Sequence, residues 1–92
     1  MSTEHKRQLL NRLKSVEGHV RGIQRMVEVD DYCVDIIKQT LAVQRALEAF
    51  NSIVLEHHLQ GCVTTAIRSD DTGERERVIK ELLQVFETSG KI

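Results

Sequence analysis

Three side chains in this sequence, two thiols and one imidazole, have the chemistry to bind a metal ion. His58 and Cys62 are four residues apart, which on an α-helix places both on one face within reach of a single ion. That pair alone favours a surface histidine beside a packed cysteine. Cys33 adds a third donor, and two thiolates with one imidazole form a soft set that suits Cu(I), whereas Zn(II) prefers four ligands. His57 points about 100° away from His58 on a helix and is interpreted as a solvated surface residue.

The composition favours helices and a partner chain. The 92 residues include no proline, five glycines and three aromatic residues, so little in the sequence breaks a helix. A chain of this length buries only about two thirds of its surface when it folds alone, so it gains stability from a partner. We therefore predict an all-α fold and a single domain over residues 1–92.

The sequence also predicts a reducing compartment. No apolar run approaches the roughly 20 residues of a membrane span, and the N-terminal segment has no signal-peptide hydrophobic region. We expect a cytoplasmic protein with no membrane partner. In that compartment two cysteines are more typical of ligands, sensors or inert core residues than of a disulfide.

Apolar residues at helical spacing predict three helices. The first runs from about Thr3 to Glu28, with Ser2 or Thr3 as its N-cap. The second runs unbroken from about Tyr32 to Ile67 and is capped by Asp30 or Asp31. A polar loop over residues 68–73 precedes the third helix, which covers about Glu74 to Thr88.

The second helix carries more than one apolar stripe and must be covered on more than one side. One stripe is Ile36, Val43, Leu47, Phe50 and Val54, and another is Val34, Ile37 and Leu41. At about 36 residues this helix would be roughly 54 Å long, more than one short helix on each side can cover. We predict self-association, with the second helix packed antiparallel against its symmetry mate.

This pairing would also assemble the metal site. Cys33 precedes Cys62 by 29 residues, which separates them by about 43 Å on one continuous helix. They cannot bind one ion within such a helix. In an antiparallel dimer that crosses near Leu47, Cys33 of one chain lies beside His58 and Cys62 of the other, and the two-fold axis makes two identical sites.

Positive charge is concentrated near the N-terminus, although the whole chain has a formal net charge of −1. Residues 1–25 have a net charge of +4 and the remainder −5. From charge alone, solvated helix faces with ion pairs such as Glu17–Arg21 are slightly favoured over a DNA-binding surface. The candidate DNA contacts are Arg7, Arg12, Lys14, Arg21, Arg25, Lys38 and Arg45.

The chain resembles, over nearly its whole length, the copper-sensing operon repressor (CsoR) family of bacterial regulators, and three segments carry the resemblance. They are residues 11–19 (NRLKSVEGH), residues 25–35 with their MVE and YCVD motifs, and residues 58–62 (HLQGC). The resemblance implies a three-helix protomer with a long central helix, a dimer built as an antiparallel four-helix bundle, and commonly a tetramer. It implies Cu(I) bound between subunits by Cys33, His58 and Cys62. It also implies a repressor whose apo form binds operator DNA and whose Cu(I) form releases it, derepressing copper-resistance genes.

The resemblance also bears on the residues around the site. It implies that Tyr32 and an acid on the third helix lie beside the ligands, and Glu81 is the best candidate for that acid. The alternative for Glu81 is an ordinary exposed acid on an amphipathic helix. Arg12, which lies in the strongest matching segment, becomes the first choice for a DNA contact.

Related branches and other protein classes remain as alternatives. The nickel branch adds an N-terminal histidine and often replaces the last cysteine. This chain keeps Cys62, and its His5 lies about one helical turn from the position expected for that histidine. The persulfide branch lacks the histidine that is His58 here, and the formaldehyde branch needs a proline where Ser2 stands. A copper-buffering helical protein without DNA binding is a further alternative. An enzyme is disfavoured, because a cysteine and a histidine alone provide no oxyanion device or substrate pocket.

Overall fold

The computed structural model describes residues 1–89 of the chain, and its helices follow the predicted order. The elements are α1 (Thr3–Glu28), α2 (Cys33–His58), a π-helical turn (Leu59–Val63), α3 (Thr64–Arg68) and α4 (Thr72–Ser89). The predicted all-α class is confirmed, and α2, the π-turn and α3 together take the place of the long central helix. No strand occurs between residues 1 and 89.

Both ends of α1 are closed by local hydrogen bonds. At its start the Ser2 hydroxyl accepts a hydrogen bond from the backbone N–H of His5 at 3.1 Å, so Ser2 is the N-cap. At its end the N–H of Asp31 donates to the carbonyl of Met26 at 2.9 Å. This second bond is possible because Asp30 adopts the left-handed conformation, with φ at 55°.

Substitutions of Asp30 should separate the cost of that conformation from the role of the side chain. We expect Asp30→Gly to raise the free energy of unfolding by about 0.5–1 kcal/mol, because glycine adopts positive φ without steric cost. We expect Asp30→Val to lower it by about 1–2 kcal/mol. Denaturant unfolding at one fixed protein concentration checks both changes. Equal stability of the two variants would contradict this account of the turn.

Neither Asp30 nor Asp31, the two predicted caps, directly precedes α2; the residue before Cys33 is Tyr32. The Asp31 carboxylate accepts a hydrogen bond from the N–H of Tyr32 at 2.9 Å, one residue before the helix begins. The Tyr32 carbonyl then accepts the first helical hydrogen bond, from the N–H of Ile36. Asp30 does not cap α2, since its left-handed backbone belongs to the end of α1.

The prediction of an unbroken second α-helix is wrong between Leu59 and Val63. There the backbone forms a π-turn, in which the N–H of Thr64 donates to the carbonyl of Leu59, five residues earlier. A π-turn takes one more residue than an α-turn, so the residues after it are rotated relative to the predicted helix. The α-helical hydrogen bonding then resumes in α3.

The third predicted helix, which is α4, begins two residues earlier than expected, at Thr72. The Ser69 hydroxyl accepts a hydrogen bond from the N–H of Asp71 at 3.1 Å. The Asp71 carboxylate in turn accepts one from the N–H of Glu74 at 3.2 Å, inside the first turn of α4. These two side chains shorten the loop, because they satisfy amides that would otherwise need water.

The chain divides into two compact units, and the first is Met1–Val54. It holds α1 and most of α2, with Leu9 and Val43 as its buried residues. A hydrogen bond joins the two helices, between His19 Nε2 and Gln39 Oε1 at 2.7 Å. Seven of its large apolar side chains are nevertheless exposed in the single chain, and the last four belong to the predicted stripes of α2: Leu13, Val20, Val27, Val34, Ile37, Leu41 and Leu47.

The second unit begins at Leu55 and contains the end of α2, the π-turn, α3 and α4. Its buried residues are Val63 in the π-turn, Ala66 in α3 and Val78 in α4. Several large apolar side chains of α4 are again exposed: Ile79, Leu83, Val85 and Phe86. Of the helices described over residues 1–89, none has the length and apolar character that crossing a membrane requires.

Candidate metal centre and nucleic-acid interface

The first candidate ligand, Cys33, is the first residue of α2. Its thiol is free and exposed, and therefore accessible to a metal ion. The preceding residue, Tyr32, has 66% of its surface exposed. The hydrogen bonds of Asp31 and Tyr32 fix the backbone on which both side chains stand, so this end of α2 is well defined before any ligand binds.

The other two candidate ligands lie at the opposite end of α2 and just beyond it. His58 is the last residue of α2 and is half-buried. Cys62 lies within the π-turn and has a free, exposed thiol. One helical turn separates the imidazole from the thiol along the chain, so the pair can chelate one ion.

The donor chemistry of these residues fits Cu(I). Two accessible thiols and one imidazole are soft ligands, and the family resemblance implies a three-coordinate site. Within residues 1–89 of a single chain, no three His, Cys, Asp or Glu side chains come together as a metal site. The structure places Cys33 in the first unit and His58 with Cys62 in the second.

Glu81 lies on α4 and is bound to a neighbour on the same helix. Arg77 Nη1 donates to Glu81 Oε1 at 2.6 Å, and Arg77 Nη2 also binds Glu74. Glu74, and then Glu81, raise the pKa of the Arg77 guanidinium through hydrogen bonds and charge. The Glu81 side chain is 48% exposed. A role for Glu81 and Tyr32 beside the metal ligands stays a prediction.

The candidate DNA contacts are all exposed, but only some of them form ion pairs with acidic side chains. Arg7 is paired with Glu4 at 2.9 Å and Arg21 with Glu17 at 3.4 Å, the i, i+4 pair that the sequence suggests. The remaining candidates make no ion pair within the described part of the chain: Arg12, Lys14, Arg25, Lys38 and Arg45. These five cations are available to phosphate groups without first breaking an internal pair.

Comparison with known proteins identifies the family. Residues 5–88 match the family described as metal-sensitive transcriptional repressor. The chain belongs to this family. Among the repressors that it resembles is the copper-sensing transcriptional repressor CsoR of Bacillus subtilis, 52% identical over 85 residues, which are 92% of this chain and 81% of that protein. The CsoR of Mycobacterium tuberculosis H37Rv is 48% identical over 81 residues, covering 88% of this chain and 66% of its own length.

Solved structures of metal-sensitive repressors share the fold. The copper-sensing repressor CsoR with Cu(I) from Geobacillus thermodenitrificans superposes with a TM-score of 0.89 at 40% identity, covering 99% of this chain and 92% of that one. A variant of the formaldehyde-responsive regulator FrmR from Salmonella enterica serovar Typhimurium has a TM-score of 0.76 at 25% identity, covering 95% and 96%. The predicted resemblance to the copper-sensing repressors is therefore confirmed.

Two features of the second unit of this repressor are missing from the sequence-based predictions. The π-turn and its Thr64 hydrogen bonds leave no periodic signal in five residues. The cluster of Arg77 with Glu74 and Glu81 could have been found, since its members are three and four residues apart on one helix.

Proposed function

We propose that this chain is a Cu(I)-responsive transcriptional repressor. Its apo form binds operator DNA, and Cu(I) releases the DNA and derepresses copper-resistance genes. The observation that carries the proposal is the set of two accessible thiols and one imidazole, at the two ends of α2, in a chain of the metal-sensitive repressor family. The names of its relatives support copper as the metal. We propose no catalytic role for any residue.

The copper site is completed by a second copy of the chain. Cys33 begins α2, whereas His58 ends it and Cys62 follows four residues later. A 26-residue α-helix separates its first and last residues by about 38 Å, far more than a metal site spans. When a second α2 packs antiparallel, Cys33 of one copy lies beside His58 and Cys62 of the other. In this arrangement Cu(I) would be held by two thiolates from different chains and one imidazole.

Exposed apolar residues on α2 support that pairing. Val34, Ile37, Leu41 and Leu47 are large apolar side chains that the single chain leaves in water. Their burial against α2 of a second copy is favourable at roughly 25 cal/mol per Å² of apolar surface. We propose an antiparallel four-helix-bundle dimer formed by α1 and α2 of two copies. The exposed apolar residues of α4 support a further step to a homotetramer.

DNA binding is assigned to the basic residues of α1, together with Lys38 and Arg45 on α2. Arg12, Lys14 and Arg25 are exposed and are not engaged in ion pairs within residues 1–89. Contacts of this kind act on phosphates, so they position the protein and make binding depend steeply on salt. We place the protein in the cytoplasm, where both DNA and reduced thiols are available.

Copper couples to DNA through the bundle. In this proposal Cu(I) draws Cys33 toward His58 and Cys62 of the neighbouring copy and tightens that end of the bundle. The basic faces of α1 then move out of register with the phosphates. Such coupling requires that Cu(I) bind the DNA-free form more tightly than the DNA-bound form. By reciprocity, DNA must weaken Cu(I) binding by the same factor.

The experiment that tests the function measures DNA binding with and without metal. Duplexes are first selected from a random library with the apo protein, and their binding is then followed by fluorescence anisotropy at two salt concentrations. We expect tight, salt-dependent binding that Cu(I) abolishes under anaerobic conditions. Ni(II) and a persulfide donor are the matched controls, because they are the effectors of the alternative branches.

Each other outcome contradicts a stated part of the proposal. If Ni(II) or the persulfide donor releases the DNA and Cu(I) does not, Cu(I) is not the effector of this repressor. Cu(I) binding without selection of any duplex would make the chain a copper-buffering protein. Binding that does not weaken between the two salt concentrations would exclude phosphate contacts as its source.

A further inference from the structure

Thr64 binds one backbone carbonyl of the π-turn with two donors. Its backbone N–H donates to the carbonyls of Leu59 and Gly61, and the bond to Leu59 spans the five residues that define a π-helix. Its hydroxyl also donates to the Leu59 carbonyl, with Oγ1 and O 2.5 Å apart. Thr64 is half-buried, so water competes less for this bond than it would on an open surface.

A second threonine of the chain shows the ordinary arrangement. The Thr40 hydroxyl donates to the carbonyl of Ile36 at 3.0 Å, four residues earlier, as threonines inside α-helices commonly do. Thr40 is exposed and its surroundings are α-helical. The hydroxyl of Thr64 reaches one residue further back, to the carbonyl that is the π-helical partner of its own N–H. The hydrogen bond of the Thr64 hydroxyl therefore has the five-residue spacing of the π-turn.

Glycine does not explain the π-turn. A Cβ atom added at Gly61 would meet nothing within 4 Å, so no close approach requires a glycine there. Backbone conformation does not require one either, because φ at Gly61 lies outside the left-handed region. The Thr64 hydroxyl, by contrast, bonds directly to a carbonyl of the turn.

The π-turn fixes how the two neighbouring ligands face the metal. On an α-helix, residue i+4 lies about 40° past residue i, because each residue turns about 100°. A π-turn takes an additional residue, so each residue turns less and Cys62 falls at a different angle from His58. The angle between the thiol and the imidazole decides whether both reach one ion. A shift from π to α between Leu59 and Val63 would change that angle.

We propose that Thr64 is a positioning residue for the copper site, whose hydroxyl holds the π-turn and with it the orientation of Cys62 relative to His58. This proposal rests on the Cu(I)-sensing function proposed above. Thr64 touches the backbone of the turn and acts on the metal only through the two ligands. Loss of the hydroxyl lets the turn relax toward α and weakens Cu(I) binding, while DNA binding by the apo protein is unchanged.

The test compares Thr64→Val with Thr64→Ser, which keeps the hydroxyl, and with Thr40→Val, which removes the other helical threonine hydroxyl. Cu(I) affinity is measured anaerobically on the full chain, in competition with a chromogenic Cu(I) chelator. We expect Thr64→Val to weaken binding by about twofold to tenfold, the range of one net hydrogen bond. We expect Thr64→Ser and Thr40→Val to stay within about twofold of the parent. Amide hydrogen exchange at position 64 of the apo protein should be faster in Thr64→Val alone.

The possible results separate this proposal from the function on which it rests. A parent protein that does not bind Cu(I) overturns both. A parent that binds Cu(I), with Thr64→Val binding equally tightly, overturns the role of Thr64 and leaves the sensor intact. Faster amide exchange with unchanged affinity also overturns it, since the hydroxyl would then serve the backbone only. If Thr64→Val loses its helical circular dichroism signal, Thr64→Ala takes its place.

Discussion

Replacing Cys33 with alanine is expected to weaken Cu(I) binding by about 100-fold to 1,000-fold and to leave apo DNA binding unchanged. Structural zinc sites with four ligands bind with about 10–16 kcal/mol, roughly 2.5–4 kcal/mol for each ligand, and we take the same range for a ligand of Cu(I). The exposed position of Cys33 at the start of α2 means that its loss leaves no cavity in the core. Competition with a chromogenic Cu(I) chelator gives the affinity, and anisotropy with the selected duplex gives the DNA binding.

The matched control for this substitution is Thr40→Ala, which shortens another exposed side chain two turns further along α2. It should bind both Cu(I) and DNA as the parent does. At a Cu(I) concentration that releases the parent from the duplex, Cys33→Ala should remain bound. Its release at that concentration would contradict the assignment of Cys33 as a ligand.

Replacing Arg12 with alanine is expected to weaken DNA binding by about tenfold to a hundredfold at low salt. Arg12 is exposed and makes no ion pair within the described part of the chain, so its charge is available to a phosphate. Removing one cation from a phosphate lowers the slope of log affinity against log salt by about one, and this change is multiplied by the number of copies that touch the DNA. A salt titration of the anisotropy signal measures this slope. Cu(I) affinity of the free protein should be unchanged.

Arg68→Ala is the control for Arg12→Ala. It removes the same charge from an exposed residue of α3, outside the proposed DNA surface. Its slope of log DNA affinity against log salt concentration should equal that of the parent. If both variants lose the same DNA affinity, the net charge of the protein drives DNA binding, and a specific contact of Arg12 does not.

Sequence patterns predict the helices well where local bonds decide their ends. α1 has the predicted bounds, and Ser2, one of its two predicted caps, is the N-cap, because apolar spacing and a capping hydroxyl are both local properties. The predicted start of α4 is two residues late. The paired bonds of Ser69 and Asp71 that extend this helix depend on how the loop folds, which composition does not reveal.

The π-turn could not be predicted from spacing. Periodicity is averaged over three or more turns, whereas the turn between Leu59 and Val63 changes the register over five residues. The side-chain group that bonds to it, the Thr64 hydroxyl, belongs to a residue type that also occurs inside α-helices, as at Thr40. The two threonines differ in which carbonyl they bind, and sequence alone does not distinguish these cases.

The sequence predicts the chemistry of the candidate site, and helix length predicts that two chains share it. Residue types and the spacing of four residues identify His58 and Cys62 as a chelating pair, and helix length excludes Cys33 from the same chain's pair. The pairing of Arg77 with Glu81 shows a neighbour that the proposed role of Glu81 must displace or share. Which copy supplies each ligand depends on the interface, which a single chain does not contain.

A mixing experiment tests that assembly most directly. One variant, Cys33→Ala, keeps the His58–Cys62 pair, and a second variant, His58→Ala with Cys62→Ala, keeps the other thiol. Each alone should bind Cu(I) at least about 100-fold more weakly than the parent. After co-refolding, a mixed dimer regains one complete site, so we expect parent-like affinity at about half of the sites in mixed dimers. If the mixture binds no more tightly than the separate variants, the ligands do not come from two chains and the account of a shared copper site is wrong.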